Sequence, residues 1–220
     1  MPALEKTKRS EQVYEAIKAK IISNEFEPGG LLQERTLAEM LHVSRTPVRE
    51  AEIRLAQEGW LDLSSQKGIR VREVTLRKVK EIFEIRGFIE EYTIEQIFAR
   101  GLNRKLAGEM DADLRRIKES LENQEEMARH SFAFHSHFVG ILGNQTLNAI
   151  WEKIIEEIVR IGMLGVMSTC DSTLEEFWGE HENLVNSLWT GEKEQVRRSL
   201  QMIKEEVFQS VERKLQKDMA

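Results

Sequence analysis

The stretch Val43-Ser44-Arg45-Thr46-Pro47-Val48-Arg49-Glu50-Ala51 decides the fold of the first third of the chain. Ser44 is a hydroxyl residue of the kind that caps a helix start, and Pro47 falls in the first turn, where no amide donor is needed. Val48, Ala51 and Leu55 recur on one face, so the spacing predicts a helix that starts at Ser44-Arg45 and stops at Gly59. Arg45 and Arg49 are four apart and share its outer face. Arginine can bind guanine O6 and N7 through two parallel hydrogen bonds, while Ser44, Thr46 and the free amides of a helix start suit phosphate oxygens. The competing reading is a solvated helix whose arginines pair with Glu50 and Glu52. The residues of this helix alone leave both readings open.

On the amino-terminal side, Val13, Ala16, Ile17 and Ile21 mark a first helix that ends before the turn Glu27-Pro28-Gly29-Gly30. Leu37, Met40 and Leu41 mark a second, short one. Past Gly59, Trp60-Leu61-Asp62-Leu63 and Ile69-Arg70-Val71-Arg72 alternate apolar with polar around Ser64-Ser65-Gln66-Lys67-Gly68, the pattern of a two-stranded wing. Two short helices about three residues apart, the second opening with basic groups, make the geometry that places a helix start in the DNA major groove.

Phe26-Glu27-Pro28-Gly29-Gly30-Leu31-Leu32, Leu37-Ala38, residues 43–51 and Glu58-Gly59-Trp60-Leu61 together resemble the winged-helix domain of the GntR family of bacterial repressors, over about residues 10–74. The resemblance implies DNA contacts by Arg35, Arg45 and Arg49, and a wing, with Lys67 at its tip, in which Gly68 lets the backbone approach the groove. His42 stands where relatives often place glycine. Histidine tolerates a positive φ better than most residues, so the same turn is expected there with some strain.

Charge and proline divide the chain. Residues 1–75 hold 12 Lys+Arg and 12 Asp+Glu, and residues 76–220 hold 20 and 26, so the whole net charge of −6 belongs to the second part. That balance excludes a protein that binds nucleic acid by bulk charge alone. Pro2, Pro28 and Pro47 are the only prolines. The expected domains are 1–75 and 76–220, with the boundary between Glu73 and Lys78. Cys170 is the only cysteine, which excludes a disulfide framework and a multi-cysteine metal site and fits a reducing, cytoplasmic compartment. Frequent charges in the first thirty residues, and a longest apolar run of only Ile161 to Met167, predict neither a secretory leader nor a membrane span.

From Thr75 onward the period is helical, and the expected architecture is an antiparallel all-α bundle, making the whole chain mainly α. Breaks at Gly101-Leu102-Asn103, Gly143-Asn144 and Thr190-Gly191, with Asp171-Ser172-Thr173 as a cap, separate about six helices. The apolar faces include Ile82, Ile89, Thr93 and Ile97; Leu106, Met110, Leu114, Ile117 and Leu121; Phe132, Val139 and Leu142. They continue with Ile150, Trp151, Ile154, Ile158 and Ile161; Phe177, Trp178, Leu184, Val185 and Leu188; and Val196, Leu200, Ile203 and Val207. Three polar residues lie on these faces: Arg86, His135 and His181. Arg86 either pairs with Glu90 one turn on or binds an anion inside the bundle, and each histidine alone is read as a satisfied core group.

Phe134-His135, Gly143-Asn144-Gln145-Thr146-Leu147 and Glu180-His181 resemble the helical ligand-binding (FCD) domain of the FadR branch of the same family, over about residues 76–212. The resemblance implies an effector site drawn from Arg86, His135, Asn144 and His181. Many members of that branch hold a divalent metal through Asp-x-x-x-His and two further histidines. Here Ser131 occupies the aspartate position and Ile203 the last histidine position, so no metal or other cofactor is expected. His137 points about 160° from His135 by helical pitch and is a poor substitute ligand.

No G-x-S-x-G elbow, Gly-rich phosphate loop, H-E-x-x-H motif or acid–base carboxylate pair is present. The expected function is a homodimeric repressor on a pseudo-palindromic operator, controlled by a small carboxylate or other anionic metabolite in the bundle, with no membrane partner. The alternative is a metal-dependent regulator or helical metalloenzyme using His135 and His181.

Overall fold

In the computed structural model, which describes residues 2–64, 68–120, 122–166 and 174–218, the chain divides between Val74 and Thr75 into two units. The first unit runs α1 (Pro2–Ile22), β1 (Leu31–Leu32), α2 (Glu34–Met40), α3 (Arg45–Gln57), β2 (Leu61–Ser64) and β3 (Gly68–Val71). Val13, Tyr14, Ile17 and Ile21 of α1 join Val48, Ala51 and Leu55 of α3, with Trp60, Leu61 and Val71, in one apolar core. α3 stops where glycine allows it. The Trp60 amide donates to the Leu55 carbonyl at 2.8 Å and the Gly59 amide to Ala56 at 3.1 Å, with Gly59 at φ +88, the hydrogen-bond pair of a left-handed helix end. α2 ends the same way without glycine. Val43 donates to Ala38 at 3.0 Å and His42 to Glu39 at 3.3 Å, and His42 sits at φ 52 as its place in the sequence required.

Two local expectations differ. Met40 is exposed and Ala38 is buried in its stead, because a helix of two turns meets its neighbour along a strip too narrow for Leu37 and Met40 together. The wing also gains a third strand, giving the antiparallel order β1-β3-β2. Leu31 lies opposite Arg70 and Leu32 opposite Ile69. The preceding turn anchors this pairing, with Gly29 donating to Val71 and Val71 to Gly30, both at 2.9 Å. A Cβ at Gly30 would stand 2.8 Å from the Glu27 carbonyl oxygen, so the turn admits only glycine there.

Among the described residues, the second unit has six helices: α4 (Leu76–Ala99), α5 (Asn103–Glu119), α6 (Gln124–Gly140), α7 (Gln145–Val166), α8 (Leu174–Thr190) and α9 (Lys193–Asp218). α4 packs on α6, α7 and α9; α5 packs on α6 and α8; α7 and α8 also pack on α9, and α6 on α7. Thr75 starts α4 by accepting the Lys78 amide at 3.2 Å. α6 touches three neighbours, so Met127, Phe134 and Phe138 are buried along with Phe132, Val139 and Leu142, and no single stripe describes it. Ile150 is exposed, contrary to expectation: it lies in the first turns of α7, on the side away from buried Trp151. Where α6 and α7 cross, a Cβ on Gly162 would stand 2.6 Å from the tip of the Phe132 ring. Lys67, Leu121, Cys170 and the Asp171-Ser172-Thr173 cap lie outside the described residues.

Candidate functional site

The first candidate surface is the start of α3. Ser44, Arg45, Thr46 and Arg49 are all exposed, because Pro47, Val48 and Ala51 turn inward. Ser44 occupies the N-cap position but its side chain makes no capping hydrogen bond, so the expected hydroxyl cap is replaced by a hydroxyl facing outward. Arg35 on α2 is exposed and donates to Glu39 at 2.8 Å. Arg49 lies 3.5 Å from Glu34 across the turn. Gly68 sits at φ +78, with open space where a Cβ would stand.

The two neighbouring carboxylates of α3 lie in different surroundings. Glu50 accepts from Ser10 at 2.8 Å. Glu52 is 3% exposed, and its Oε1 has no hydrogen-bond partner. Burial first and the neighbouring Glu34 charge second push the Glu52 carboxyl up to about 7, against the pull of Arg49. Spacing could have found it, since 52 stands four after Val48 and three before Leu55.

The second candidate is a buried polar group in the helical unit. Arg86 is 1% exposed, His135 2% and His181 0%, and the fold brings them together from α4, α6 and α8. The Arg86 guanidinium donates to Glu90 at 2.8 Å and to His135 Nε2 at 3.1 Å. The His135 and His181 rings lie 5.5 Å apart, with Phe134 edge-on to both. Lys204 of α9 approaches the other Glu90 oxygen at 3.3 Å. That approach has the distance of an ion pair but not hydrogen-bond geometry, since Glu90 Oε2 has no hydrogen-bond partner. Burial, then the charges of Arg86, His181 and Lys204, hold the His135 imidazole well below its usual range. It is therefore neutral at physiological pH, as an acceptor for a guanidinium must be.

Ser131, in the position where an aspartate would supply a metal ligand, is buried with its Oγ 2.9 Å from His181 Nε2. Ile203 is buried and offers no donor. Two imidazoles beside two cationic side chains are a poor donor set for a divalent ion. Among the described residues, no group of three or more His, Cys, Asp or Glu side chains is placed to hold a metal. Asn144 does not join this group. It is exposed at the start of α7, where its side-chain oxygen accepts the Leu147 amide at 3.1 Å, a helix-capping role that the sequence reading did not assign to it. His137 faces Asp113 at 2.8 Å and Glu109 at 3.3 Å on α5. Arg160, 2% exposed on α7, is a further buried charge, one that was not among the polar residues expected on apolar faces. The signal was available, because the second half of α7 has almost no polar face on which an arginine could lie.

Residues 9–71 match the family described as bacterial regulatory proteins, gntR family, and residues 81–205 match the FCD domain. The chain is 31% identical over 137 residues to the Nta operon transcriptional regulator of Aminobacter aminovorans, covering 62% of this chain and 65% of that protein. It is 25% identical to the gluconate operon transcriptional repressor of Bacillus subtilis, covering 95% and 87%. The solved structure of E. coli McbR/YncC has the same fold, with a TM-score of 0.77 at 22% identity over 94% of this chain and 98% of that one. No described helix is long and apolar enough to cross a membrane. A winged helix-turn-helix matched along its length, joined to a helical unit matched as FCD, makes this chain a member of the GntR family in its FadR-like branch, a DNA-binding transcriptional regulator and not an enzyme.

Proposed function

We propose that the chain is a cytoplasmic, homodimeric operon repressor that reads a pseudo-palindromic operator, and that a small anionic metabolite bound at the Arg86–His135–His181 group, without a metal, sets its operator affinity. Arg45 and Arg49 are the base-reading residues of this reading; Arg35, Ser44, Thr46, Lys67 and Gly68 complete the DNA face. The observation that carries the effector reading is the charge of the buried group. Arg86 and Lys204 bring two positive charges against the one negative charge of Glu90, with His135 neutral, so the group is net positive before any charge on His181 is counted, and that balance invites an anion. Repression follows the relatives, several of which are operon repressors.

The test is calorimetry of the full-length protein against small monocarboxylates, with metal analysis of protein purified without chelator. Binding is expected in the wild type and its loss in Arg86→Gln/Lys204→Gln, which removes both positive charges of the group. Binding indifferent to that change overturns the anion site, and stoichiometric zinc, manganese or nickel overturns the metal-free half.

The homodimer draws support from α4. Ile85, Phe88 and Tyr92 form one exposed apolar stripe, with Phe88 67% exposed at its centre. A second copy running antiparallel about Phe88 sets Ile85 of one copy against Tyr92 of the other, the self-complementarity a two-fold interface needs. Phe88→Glu is expected to yield a monomer at micromolar concentration by light scattering. An unchanged dimer would place the interface elsewhere.

A further inference from the structure

The start of α3 contains a titratable group that the proposed DNA face does not use. Glu52 lies one turn beyond Arg49 on α3, buried, with one carboxyl oxygen lacking any hydrogen-bond partner. Arg49 is itself three-quarters exposed and held by Glu34 at 3.5 Å. The charged groups acting on Glu52 are Glu34 of α2 and Arg49 of its own helix. Among the described residues of the other elements packed on α3, Glu11 of α1 pairs with Arg54 at 2.7 Å and Lys18 with Glu58 at 3.6 Å. On β2, Asp62 pairs with Arg72 at 2.9 Å. Glu34 thus stands 3.5 Å from the Arg49 guanidinium at the surface, and buried Glu52 follows Arg49 by one turn on the same helix.

We propose that Glu52 is a positioning residue for Arg49, and that the proton it carries decides how firmly the guanidinium is held on the protein. The inference rests on the reading that Arg49 contacts DNA. With Glu52 neutral, Arg49 is held by Glu34 alone across a solvated gap and exchanges that partner for a base or phosphate. With Glu52 ionised, a second carboxylate, little screened because it is buried, pulls Arg49 back and sets a negative charge behind the DNA face. Moving Arg49 onto DNA takes from Glu52 the cation that opposes its other two influences, so the bound protein holds the proton more tightly. By linkage, operator affinity is full below the free-protein value of about 7 and falls as pH rises through it.

The probe is the duplex that the full-length protein enriches from a randomised DNA library, titrated between about pH 6 and about pH 8.5. All variants carry His42→Asn, which removes the exposed imidazole at the same turn with a residue that tolerates its positive φ. Affinity is expected to fall roughly three- to tenfold across the range, to become flat in Glu52→Gln and Glu52→Leu, and to be lower but flat in Arg49→Ala. A merely structural Glu52 would change the thermal midpoint of these variants and leave the slope in place, and that result overturns the proposal. Arg49→Ala with wild-type affinity would overturn the contact reading itself; weakened Arg49→Ala beside a sloping Glu52→Gln would overturn this inference alone.

Discussion

Alanine at both Arg45 and Arg49 is expected to cost roughly 2–6 kcal/mol of operator affinity, the sum of about 1–3 kcal/mol for each bidentate base contact. Both side chains leave the exposed face of α3 within its first two turns, the part of a recognition helix that reaches base edges. Arg49→Ala belongs near the lower end, since it also releases Glu34 from a partner that DNA would have had to displace. The lysine variants separate charge from shape. Arg45→Lys and Arg49→Lys keep one positive charge each but lose the planar fork, so affinity for random duplex persists while preference for the operator collapses. Fluorescence anisotropy with operator and scrambled duplexes at one fixed salt concentration measures both. An unaltered operator affinity in the double alanine variant would remove α3 as the reading helix.

The second large effect concerns stability. Arg86→Met leaves the Glu90 carboxylate, 1% exposed, with Lys204 at 3.3 Å as its remaining cation, and breaking a buried pair in this way costs about 3–5 kcal/mol. Arg86→Met/Glu90→Leu removes both charges and is expected to recover most of that loss, because the pair's attraction and the cost of stripping its water nearly cancel. Chemical denaturation of the full-length variants decides the matter. A single variant as stable as the double would mean that Lys204 alone satisfies Glu90. If the double variant is stable, the pair is kept for something other than stability, which is what an anion site requires.

The helix-turn-helix was legible because local rules and burial agree along it. Pro47 in the first turn, Gly59 at the stop and His42 in the left-handed turn each have a backbone reason, and the sequence spacing needed nothing from afar. β1 was not legible. Two residues carry no alternation of their own, and Leu31 and Leu32 become a strand only because β3 lies beside them. Glu52 was hidden by its chemistry, since a carboxylate is read as solvent-facing even where its position in the period points inward. Arg86, His135 and His181 stood out by the opposite route, as polar groups on apolar faces, and periodicity aims each at the bundle interior. Asn144 had only a motif in its favour, and a motif does not say which way a side chain points; its carboxamide was needed by the α7 amides.

The crossing of α6 and α7 bears on how this protein can change over generations. Phe132 stands between Ser131 and His135, and its ring tip occupies the space of a Cβ on Gly162. Every single-base change in a glycine codon that alters the residue adds a side chain or a stop, so any change at position 162 requires the Phe132 ring to shift. A smaller residue at 132 would lift that requirement but first opens a void between the helices. The two positions are therefore coupled: a side chain at 162 needs the Phe132 ring moved aside or a smaller residue in its place.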